Sequence, residues 1–540
     1  MRLYIRSDRE VSFPAYFLAA EPNVESMALL EARTAPPSRA FVVSRGTPPV
    51  RLVAIGLGAL AAILAVIGSW IPSLWGDEAA SVLSAERSLP SLFRMLGHVD
   101  AVHGTYYFLL HFWVGAFGTS PFSVRLPSAF AVGLTVAGVV ILTNRLAGAR
   151  AGILAGIVCL ILPRVTYMGA EARGYALSAA CVTWLTIVLV VALSSARPRR
   201  RLWVLYSIGL AVCGYVFLFS LLVVVAHVGV VLAHRRGFIR RAWWKAVAGG
   251  LALALPVIVY GFAERDQVAF LLDRNATTFM STTVGPWFGN SDFAILAWAL
   301  ILIGIGMSVR QWLRSRRFIG PRFIPSSGEA SPPSLVLLAT LWLVAPAAIL
   351  LTVNAIHAIY SSRYLSFATP AAALLIGWLL AKARPRWIVL PLVLALVAAA
   401  APTYLAQRTP YAQNGSDWAA DAAVIQTRAK PGDAVLFDEA TRPSRNPRLA
   451  MHTYPAAFTG LTDVALKSPW WASDGWRDTT YPLMTVASRL DNAPAVWLIE
   501  YRSPGGTADR YDLSTLAALG FRVEHRYGEH SSVVIELVRA

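Results

Sequence analysis

The sequence predicts a polytopic α-helical membrane protein with about eleven transmembrane helices and a C-terminal α/β domain outside the membrane. Of its 540 residues, 56% are hydrophobic and only 14% are charged, whereas soluble domains carry about 25% charged residues. The mean hydropathy is +0.55. Repeated apolar runs are long enough to cross a bilayer core. A change to soluble-domain composition after Tyr404 predicts the appended domain.

Composition divides the chain into three parts. Residues 1–50 contain several arginines and prolines but no long apolar run, which predicts a disordered cytoplasmic extension. The first apolar run begins too late, and is too long, for a cleavable signal peptide. Residues 51–405 form the predicted transmembrane domain. Residues 406–540 form the predicted extracytoplasmic domain, in which we recognise no catalytic constellation.

Length and apolar character predict the individual spans. They are 52–74, 122–143, 151–167, 174–195, 202–217, 218–234, 246–263, 291–309, 334–352, 366–381 and 387–404. Residues 202–234 could instead be a single long span. The run from Tyr106 to Phe117 is too short to span easily, so we interpret it as an interfacial helix within a first outer loop of residues 75–121. Counting it as a span would reverse the orientation of every later helix.

Basic residues set the predicted orientation, because cytoplasmic loops collect Lys and Arg. An inside N-terminus places the basic clusters in inner loops, whereas the short outer loops hold only isolated arginines. The inner clusters are Arg145 and Arg150; Arg197 and Arg199–Arg201; Arg235, Arg236, Arg240, Arg241 and Lys245; Arg310, Arg314, Arg316, Arg317 and Arg322; and Lys382, Arg384 and Arg386. We therefore expect a multi-pass protein of the inner (plasma) membrane with an exported C-terminus. The net charge of +18 follows this pattern and predicts contact with membrane lipid rather than nucleic acid.

Local patterns predict elements of the C-terminal domain. Residues 434–437, 495–499 and 533–537 are typical of strands, and residues 418–427 and 513–519 are typical of helices. The three cysteines, Cys159, Cys181 and Cys213, all lie inside apolar runs, so neither a disulfide framework nor a zinc site is predicted.

Polar clusters on the predicted outer face are the candidate functional residues. Asp77 and Glu78 directly follow a charge-free run from Leu52 to Trp75. Charged side chains are costly at membrane depth and usually mark substrate sites. The alternatives are a stop signal at a helix end, snorkelling arginines and ordinary belt tyrosines. The candidates, in chain order, are Asp77 and Glu78; Asp100 and His103; Glu171, Arg173 and Tyr175; and Arg363 and Tyr364.

One chemistry explains carboxylates and arginines on the same face. A carboxylate can accept a proton from an attacking hydroxyl group as a general base. Arginines can hold a phosphate and stabilise the charge that grows on it as it leaves. A phosphate leaving group at a membrane surface indicates a lipid-phosphate-linked sugar. Such a donor needs no glycine-rich nucleotide site and no cofactor, although a divalent metal remains compatible with the sequence.

Several short motifs together resemble the GT-C membrane glycosyltransferases, in the branch of the protein O-mannosyltransferases and aminoarabinose transferases. Their order and membrane placement carry the resemblance, which covers about residues 50–405. The matching segments are Trp75-Gly76-Asp77-Glu78; His103 to His111; Phe122 to Ser128; Glu171 to Leu177; and Ser362-Arg363-Tyr364 before Pro370.

The resemblance implies roles for the candidate residues. Asp77 would be the catalytic base and Glu78 its supporting acid, while Arg173 and Arg363 would bind a polyprenyl phosphate. Tyr175 and Tyr364 would assist at the phosphate or the sugar. The remaining candidates, Asp100, His103 and Glu171, would belong to the sugar or acceptor site. Many relatives carry two prolines after the histidine, where this chain has Gly104-Thr105, which predicts a more flexible loop beside His103.

The predicted function is therefore transfer of a sugar, with inversion, from a polyprenyl-phosphate donor to an envelope glycan, lipid or protein. Alanine- and arginine-rich usage is typical of high-GC actinobacterial hosts, which favours mannose or arabinose. A transporter or flippase for a lipid-linked sugar is the alternative, since it would bind phosphate with the same arginines. However, alternating access favours polar groups near the midplane. A non-catalytic assembly factor leaves the acids and arginines unexplained.

Overall fold

The computed structural model describes residues 49–195, 199–234, 237–265, 267, 277–318, 333–502 and 511–540. Over these residues the chain forms a bundle of apolar helices followed by a mixed α/β domain. The predicted N-terminal extension lies outside the described residues, apart from positions 49 and 50. The helices of the bundle are α1 Val50–Val66, α2 Gly76–Glu86, α3 Leu89–Leu96, α4 Gly104–Phe117, α5 Pro121–Ala147, α6 Ala149–Ile161, α7 Pro163–Met168, α8 Tyr175–Leu193, α9 Arg200–Val216, α10 Val223–Ala233, α11 Gly237–Ala263, α12 Ser291–Phe318, α13 Leu335–Asn354, α14 Thr369–Lys382 and α15 Val389–Ala406.

The polytopic helical architecture is confirmed. Each predicted span coincides with a helix, and within the described residues seven helical segments are long and apolar enough to cross a membrane. They are Pro121–Ala147, Tyr175–Leu193, Gly237–Ala263, Ser291–Arg314, Leu335–Asn354, Ser362–Lys382 and Arg386–Ala406. Shorter apolar helices cover Val50–Val66, Ala149–Ile161 and Leu218–Ala233. The total of eleven spans stays a prediction.

The first helix is shorter than the predicted span 52–74. It ends at Val66, because Ile67 leaves the helical conformation and Gly68 adopts a left-handed φ of 71°. Such a φ is readily available to glycine. The chain then turns until Trp75, and Asp77 and Glu78 begin the separate helix α2. The two acids are therefore placed by a new helix rather than by the end of the first one.

The segment 202–234 is a pair of helices and not one continuous span. Helix α9 ends at Val216, and Phe217 is extended with a ψ of 112°. A 3₁₀ turn, Leu218–Leu222, leads into α10. This break interrupts a run of apolar residues that carries no proline or charge, so its position is set by tertiary packing.

Three short helices, α2, α3 and α4, lie in the predicted first outer loop. Helix α4 covers the run that we interpreted as interfacial, and at 14 residues it extends only about 21 Å at 1.5 Å per residue. It packs against α2 and contributes Tyr107 and Leu110 to a cluster with Leu74 and Leu92. This cluster holds the loop as a compact layer.

Small residues allow close helix contacts inside the bundle, as is usual in membrane proteins. A Cβ added to Gly58 of α1 would lie 2.7 Å from the carbonyl oxygen of Gly133 in α5, and the reciprocal distance is 2.8 Å. A Cβ added to Gly377 of α14 would lie 2.5 Å from the Cα of Ala155 in α6. At these positions the backbones themselves are in contact.

The C-terminal part is an α/β domain whose predicted strands and helices are confirmed. Its five-stranded sheet has the order β2-β1-β5-β7-β6, in which β1 pairs in parallel with β2 and β5, and β7 is antiparallel to β5 and β6. Strands β3 and β4 form a separate antiparallel pair. The elements are helices α16 Trp418–Arg428, α17 Arg448–Thr453 and α18 Tyr511–Ala518, and strands β1 Ala434–Phe437, β2 Thr462–Asp463, β3 Leu466–Ser468, β4 Thr479–Thr480, β5 Ala495–Tyr501, β6 Phe521–Gly528 and β7 Ser532–Arg539.

The α/β domain packs directly on helix α2. Ala79 and Leu83 of α2 belong to the same buried cluster as Trp418 and Trp497 of the α/β domain. The Tyr454 hydroxyl group accepts a hydrogen bond of 2.9 Å from the backbone N–H of Leu74. Through these contacts the domain supports the helix that carries Asp77 and Glu78.

Replacement of Gly377 by alanine tests the close contact between α14 and α6. We expect Gly377→Ala to lower thermal stability, because the added methyl group meets the backbone of Ala155 and overpacking typically costs about 1–3 kcal/mol. The control is Gly306→Ala in α12, where nothing lies within 4 Å of the added Cβ. Melting temperatures in detergent that fall equally for both variants, or for neither, would contradict the packing.

Candidate active site

Helix α2 carries two adjacent acids, Asp77 and Glu78, whose side chains point in different directions. Trp75 is extended, with φ −127° and ψ 175°, and the first helical turn contains Asp77 and Glu78. Acidic residues are favoured there by the partial positive charge of a helix N-terminus. Successive helical residues differ by about 100° in direction. Accordingly, Glu78 is fully buried, whereas the Asp77 side chain remains 21% exposed.

Glu78 forms a buried two-point ion pair with Arg125 of α5. Arg125 donates from Nε to Glu78 Oε1 at 2.7 Å and from Nη2 to Glu78 Oε2 at 2.5 Å. Glu78 Oε1 also accepts from the backbone N–H of Ala172 at 2.8 Å. The guanidinium donates further to the carbonyl oxygens of Ser69, Pro72 and Ser73. One pair thus joins α2, α5, the turn after α1 and the loop before α8.

Asp77 is paired with Arg363 instead. Arg363 Nη1 lies 2.6 Å from Asp77 Oδ2, and both side chains are partly exposed. The Arg363 guanidinium also lies over the Trp75 ring, 5.2 Å from its centre. Burial would raise the pKa of Asp77, but the charges of Arg363 and Arg173 outweigh it and hold this pKa below its ordinary value. Asp77 is therefore ionised at neutral pH.

Arg173 is the second arginine beside Asp77. From Nη1 it donates to the Tyr107 hydroxyl group at 3.0 Å, to the carbonyl oxygen of Asp77 at 3.3 Å and to Ser81 Oγ at 3.4 Å. The Tyr107 hydroxyl group in turn donates to Asp100. Arg173 is 6% exposed. Arg173, Asp77 and Asp100 therefore form one connected polar group with Arg363.

Glu171 is a buried carboxyl group at the same site. It is 1% exposed, and its Oε1 atom has no hydrogen-bond partner among the described residues. Burial raises its pKa to about 7, assisted by the negative charges of Glu78 and Asp77 and opposed by Arg363. Its charge state therefore changes near neutral pH. The sequence places Glu171 at the site but does not reveal this property.

His103 and Asp100 lie at the edge of the polar group. Asp100 has a left-handed φ of 62°, and the Glu264 carboxylate accepts from the next backbone N–H, that of Ala101, at 3.0 Å. His103 Nε2 is 4.0 Å from Asp100 Oδ1. Burial lowers the pKa of His103 to about 4, so the ring is neutral. Over the described residues, no three His, Cys, Asp or Glu side chains are placed to share a metal ion.

Tyr175 and Tyr364 lie against the rings of Phe217 and Phe219, to which the sequence assigned no role at the site. Phe217, at the break between α9 and α10, is 5.3 Å from Tyr175 and 5.8 Å from Tyr364, measured between ring centres. Phe219 stacks on Tyr364 at 5.2 Å, and His103 stacks on Phe217 at 6.4 Å. These rings form an apolar wall beside the arginines. Only the helix break brings Phe217 and Phe219 to the site.

The structure thus brings Asp77, Arg173, Arg363, Glu171 and Asp100 to one place. The described contacts of Glu78 are with Arg125 and the Ala172 N–H and not with the Asp77 side chain, and its implied role as supporting acid stays a prediction. Arg125 itself appears in a matching motif, but no role was predicted for it. The sequence signal for a role of Arg125 was its position inside the predicted apolar span 122–143, where a charged residue is costly.

Comparison with known proteins identifies the architecture. The crystal structure of ArnT from Cupriavidus metallidurans bound to undecaprenyl phosphate matches with a TM-score of 0.55 and 15% identity, covering 89% of this chain and 97% of that one. Its apo state matches with a TM-score of 0.52, 13% identity and the same coverage. The chain has the fold of the GT-C membrane glycosyltransferases. The resemblance predicted from the sequence is confirmed.

A family profile adds to the structural comparison. The dolichyl-phosphate-mannose-protein mannosyltransferase family matches residues 105–260. A search of curated protein sequences finds no match. Together, the family profile and the GT-C fold support a role in glycosyl transfer. They do not select a sugar or an acceptor.

Replacement of Glu171 by glutamine tests its unusual pKa. A folded-state pKa above the ordinary value stabilises the folded protein at low pH, and this stabilisation is lost as the pH rises through about 7. Glutamine mimics the neutral acid. The loss begins above the ordinary value of 4.5. We therefore expect Glu171→Gln to melt with the parent at about pH 4 and above it at about pH 8. The control is Glu524→Gln on the exposed edge strand β6, and an identical melting difference at both pH values would contradict the assignment.

Proposed function

We propose that this chain is a glycosyltransferase that moves a mannose- or arabinose-like sugar from a polyprenyl-phosphate donor to a hydroxyl group of an envelope glycan, lipid or protein. It would be a hexosyl- or pentosyltransferase. The observation that carries the proposal is the contact of Arg363 with Asp77, at 2.6 Å, beside Arg173. A carboxylate suited to accept a proton and two guanidinium groups suited to bind phosphate meet there.

The donor phosphate would bind between Arg173 and Arg363. A guanidinium group matches a phosphate with two parallel hydrogen bonds. The aromatic wall of Phe217, Phe219 and Tyr364 suits the first part of an isoprenoid chain. The binding of undecaprenyl phosphate by ArnT, which shares the fold, supports a lipid phosphate as the ligand.

Donor binding would also separate Asp77, the proposed base, from Arg363. In the described structure Arg363 neutralises Asp77. A phosphate that engages Arg363 would remove this partner, and the pKa of Asp77 would then rise toward a value at which it accepts protons efficiently. Asp77 would thereby become competent only when the donor is present.

The reaction then needs one displacement. The acceptor hydroxyl group gives its proton to Asp77 as its oxygen attacks the anomeric carbon of the sugar. The bond between that carbon and the phosphate oxygen breaks, and its electron pair remains on the phosphate. Attack opposite the leaving group inverts the anomeric centre. Arg173 and Arg363 stabilise the additional negative charge on the phosphate.

We further propose that this site faces the exterior of the inner membrane, with the N-terminus in the cytoplasm. The uneven distribution of basic clusters supports this orientation. A transporter would bind the same donor, but it has no need for an ionised carboxylate against the phosphate-binding arginine. The clustering of the polar residues at the ends of their helices also favours an enzyme.

Substitution of the two acids separates their roles. Asp77→Asn keeps the shape and removes the base, so transfer from a short-chain polyprenyl-phosphate sugar in detergent should fall by about 10²–10⁴-fold. Its melting temperature should change little, because Asp77 is partly exposed. Glu78→Gln should instead lower the melting temperature clearly, because it weakens a fully buried ion pair. Full transfer activity in Asp77→Asn would remove Asp77 as the base.

Replacement of Arg363 by lysine tests the phosphate site. Lysine retains the charge but not the planar fork, and loss of a charge-assisted hydrogen bond costs about 1.5–3 kcal/mol. We expect donor affinity in Arg363→Lys to fall by about ten- to a hundredfold. The control is Arg265→Lys, at an exposed arginine over Phe262. Unchanged donor affinity in Arg363→Lys would exclude this arginine. Donor movement across proteoliposomes without any transfer in detergent would support the transporter.

A further inference from the structure

A cleft separate from Asp77 lies between the end of α2 and the α/β domain. Its volume is about 370 Å³. Two tryptophans, two serines, an arginine and a carboxylate line it. The lining residues are Glu86, Arg87, Ser88, Ser91, Trp470 and Trp471.

Arg87 builds the cleft but does not present its charge there. It is 1% exposed and donates to the carbonyl oxygens of Trp470, Ser473 and Gly475 and to Ser91 Oγ. These bonds hold the loop 470–475 against the end of α2. The guanidinium also covers the Trp470 ring at 5.3 Å.

Two groups remain open to a ligand. Trp471 is perpendicular to Trp470, with 5.4 Å between ring centres, and is 53% exposed. The Glu86 carboxylate makes no hydrogen bond among the described residues. Burial raises its pKa, while the nearby His452 lowers it. The exposed Ser88 adds a hydroxyl group, whereas that of Ser91 is already used by Arg87 and the Trp471 carbonyl oxygen. The open surface therefore combines an aromatic ring, a carboxylate and one serine hydroxyl group.

We propose that this cleft binds a neutral sugar residue of a glycan acceptor. A sugar ring has an apolar C–H face, which packs on an exposed aromatic ring, and a rim of hydroxyl groups that donate to a carboxylate. A few placed polar groups beside aromatic side chains are typical of small-ligand sites. The inference rests on the proposed function, and it specifies the acceptor class as a glycan.

Helix α2 connects the cleft to Asp77. Glu86 lies nine positions after Asp77 on this one helix, about 14 Å further along its axis and, at about 100° per residue, on its opposite face. An oligosaccharide that rests on Trp471 would therefore have to pass around α2 for a hydroxyl group further along its chain to reach Asp77. Because both ends belong to one helix, the spacing between cleft and base is fixed.

The cleft is less suited to a peptide. An extended peptide binds mainly through free backbone groups, but each loop carbonyl oxygen already accepts a hydrogen bond, which reduces its capacity for a peptide: Trp470, Ser473 and Gly475 accept from Arg87, and Trp471 accepts from Ser91. An anionic ligand is also disfavoured, because the guanidinium is buried and the exposed charge is that of Glu86. A neutral, hydroxyl-rich ligand fits both facts.

Direct binding without any donor tests the inference. The probes are short linear oligomers of mannose, arabinose, galactose and glucose, added to full-length protein in lipid nanodiscs because maltoside detergents carry sugars themselves. Saturation-transfer NMR and titration calorimetry measure binding. We expect at least one oligomer to bind the parent, and Trp471→Ala to weaken it by about tenfold or more. Glu86→Gln should weaken it less. The control is Trp387→Ala, at a tryptophan outside the cleft that is 72% exposed.

The outcomes separate the cleft from the catalytic proposal. Asp77→Asn should bind the oligomer as the parent does, because it leaves the cleft unchanged. If the parent binds the oligomer but transfers no sugar to it from any donor, that result would contradict the proposed enzyme and leave the cleft inference intact. Melting temperatures confirm that Trp471→Ala is folded. Failure of every oligomer to bind the parent would overturn the inference. Equal binding by Trp471→Ala, or displacement of the oligomer by a serine- and threonine-rich peptide, would also overturn it.

Discussion

The buried ion pair between Glu78 and Arg125 organises the predicted outer face of the protein. It joins the first turn of α2 to α5, to the turn after α1 and to the loop that carries Glu171 and Arg173. Two charges removed from water are costly, and removing one partner of such a pair typically costs about 3–5 kcal/mol. The pair persists because backbone carbonyl oxygens and an N–H satisfy its remaining hydrogen-bonding capacity. Its consequence is geometric, since it places the loop and α2 together.

The ion pair between Glu78 and Arg125 sets the position of Asp77, and the nearby Arg363 and Arg173 keep Asp77 ionised. Because Glu78 is directed into the protein, the adjacent Asp77 points toward Arg363. The same environment raises the pKa of Glu171 to about 7 while keeping Asp77 ionised. Two carboxyl groups at one site thus differ in protonation because one is paired and the other is not. The α/β domain contributes by packing on α2, so it supports the site without supplying the candidate base.

Much of this arrangement could be predicted from the sequence, because membrane insertion leaves long apolar runs and separated polar clusters. The polar clusters that contain Asp77, Arg173 and Arg363 can be recognised locally in this way, and the structure brings these three residues together. The missing parts depend on tertiary packing. No local sequence pattern predicts the helix break at Phe217. The same is true of the ion pair between Arg125 and Glu78 and of the hydrogen bonds from Arg87 to the carbonyl oxygens of the loop 470–475. These contacts join residues distant in sequence, which neither periodicity nor motif spacing reports.

The central claim is that a lipid phosphate takes Arg363 away from Asp77. The most direct measurement is an experimental structure of the full-length protein in lipid nanodiscs with a polyprenyl phosphate bound. The account predicts phosphate density between Arg173 and Arg363, with the contact between Arg363 and Asp77, 2.6 Å in the described structure, opened beyond ion-pair distance. Phosphate bound elsewhere, with this ion pair intact, would contradict it.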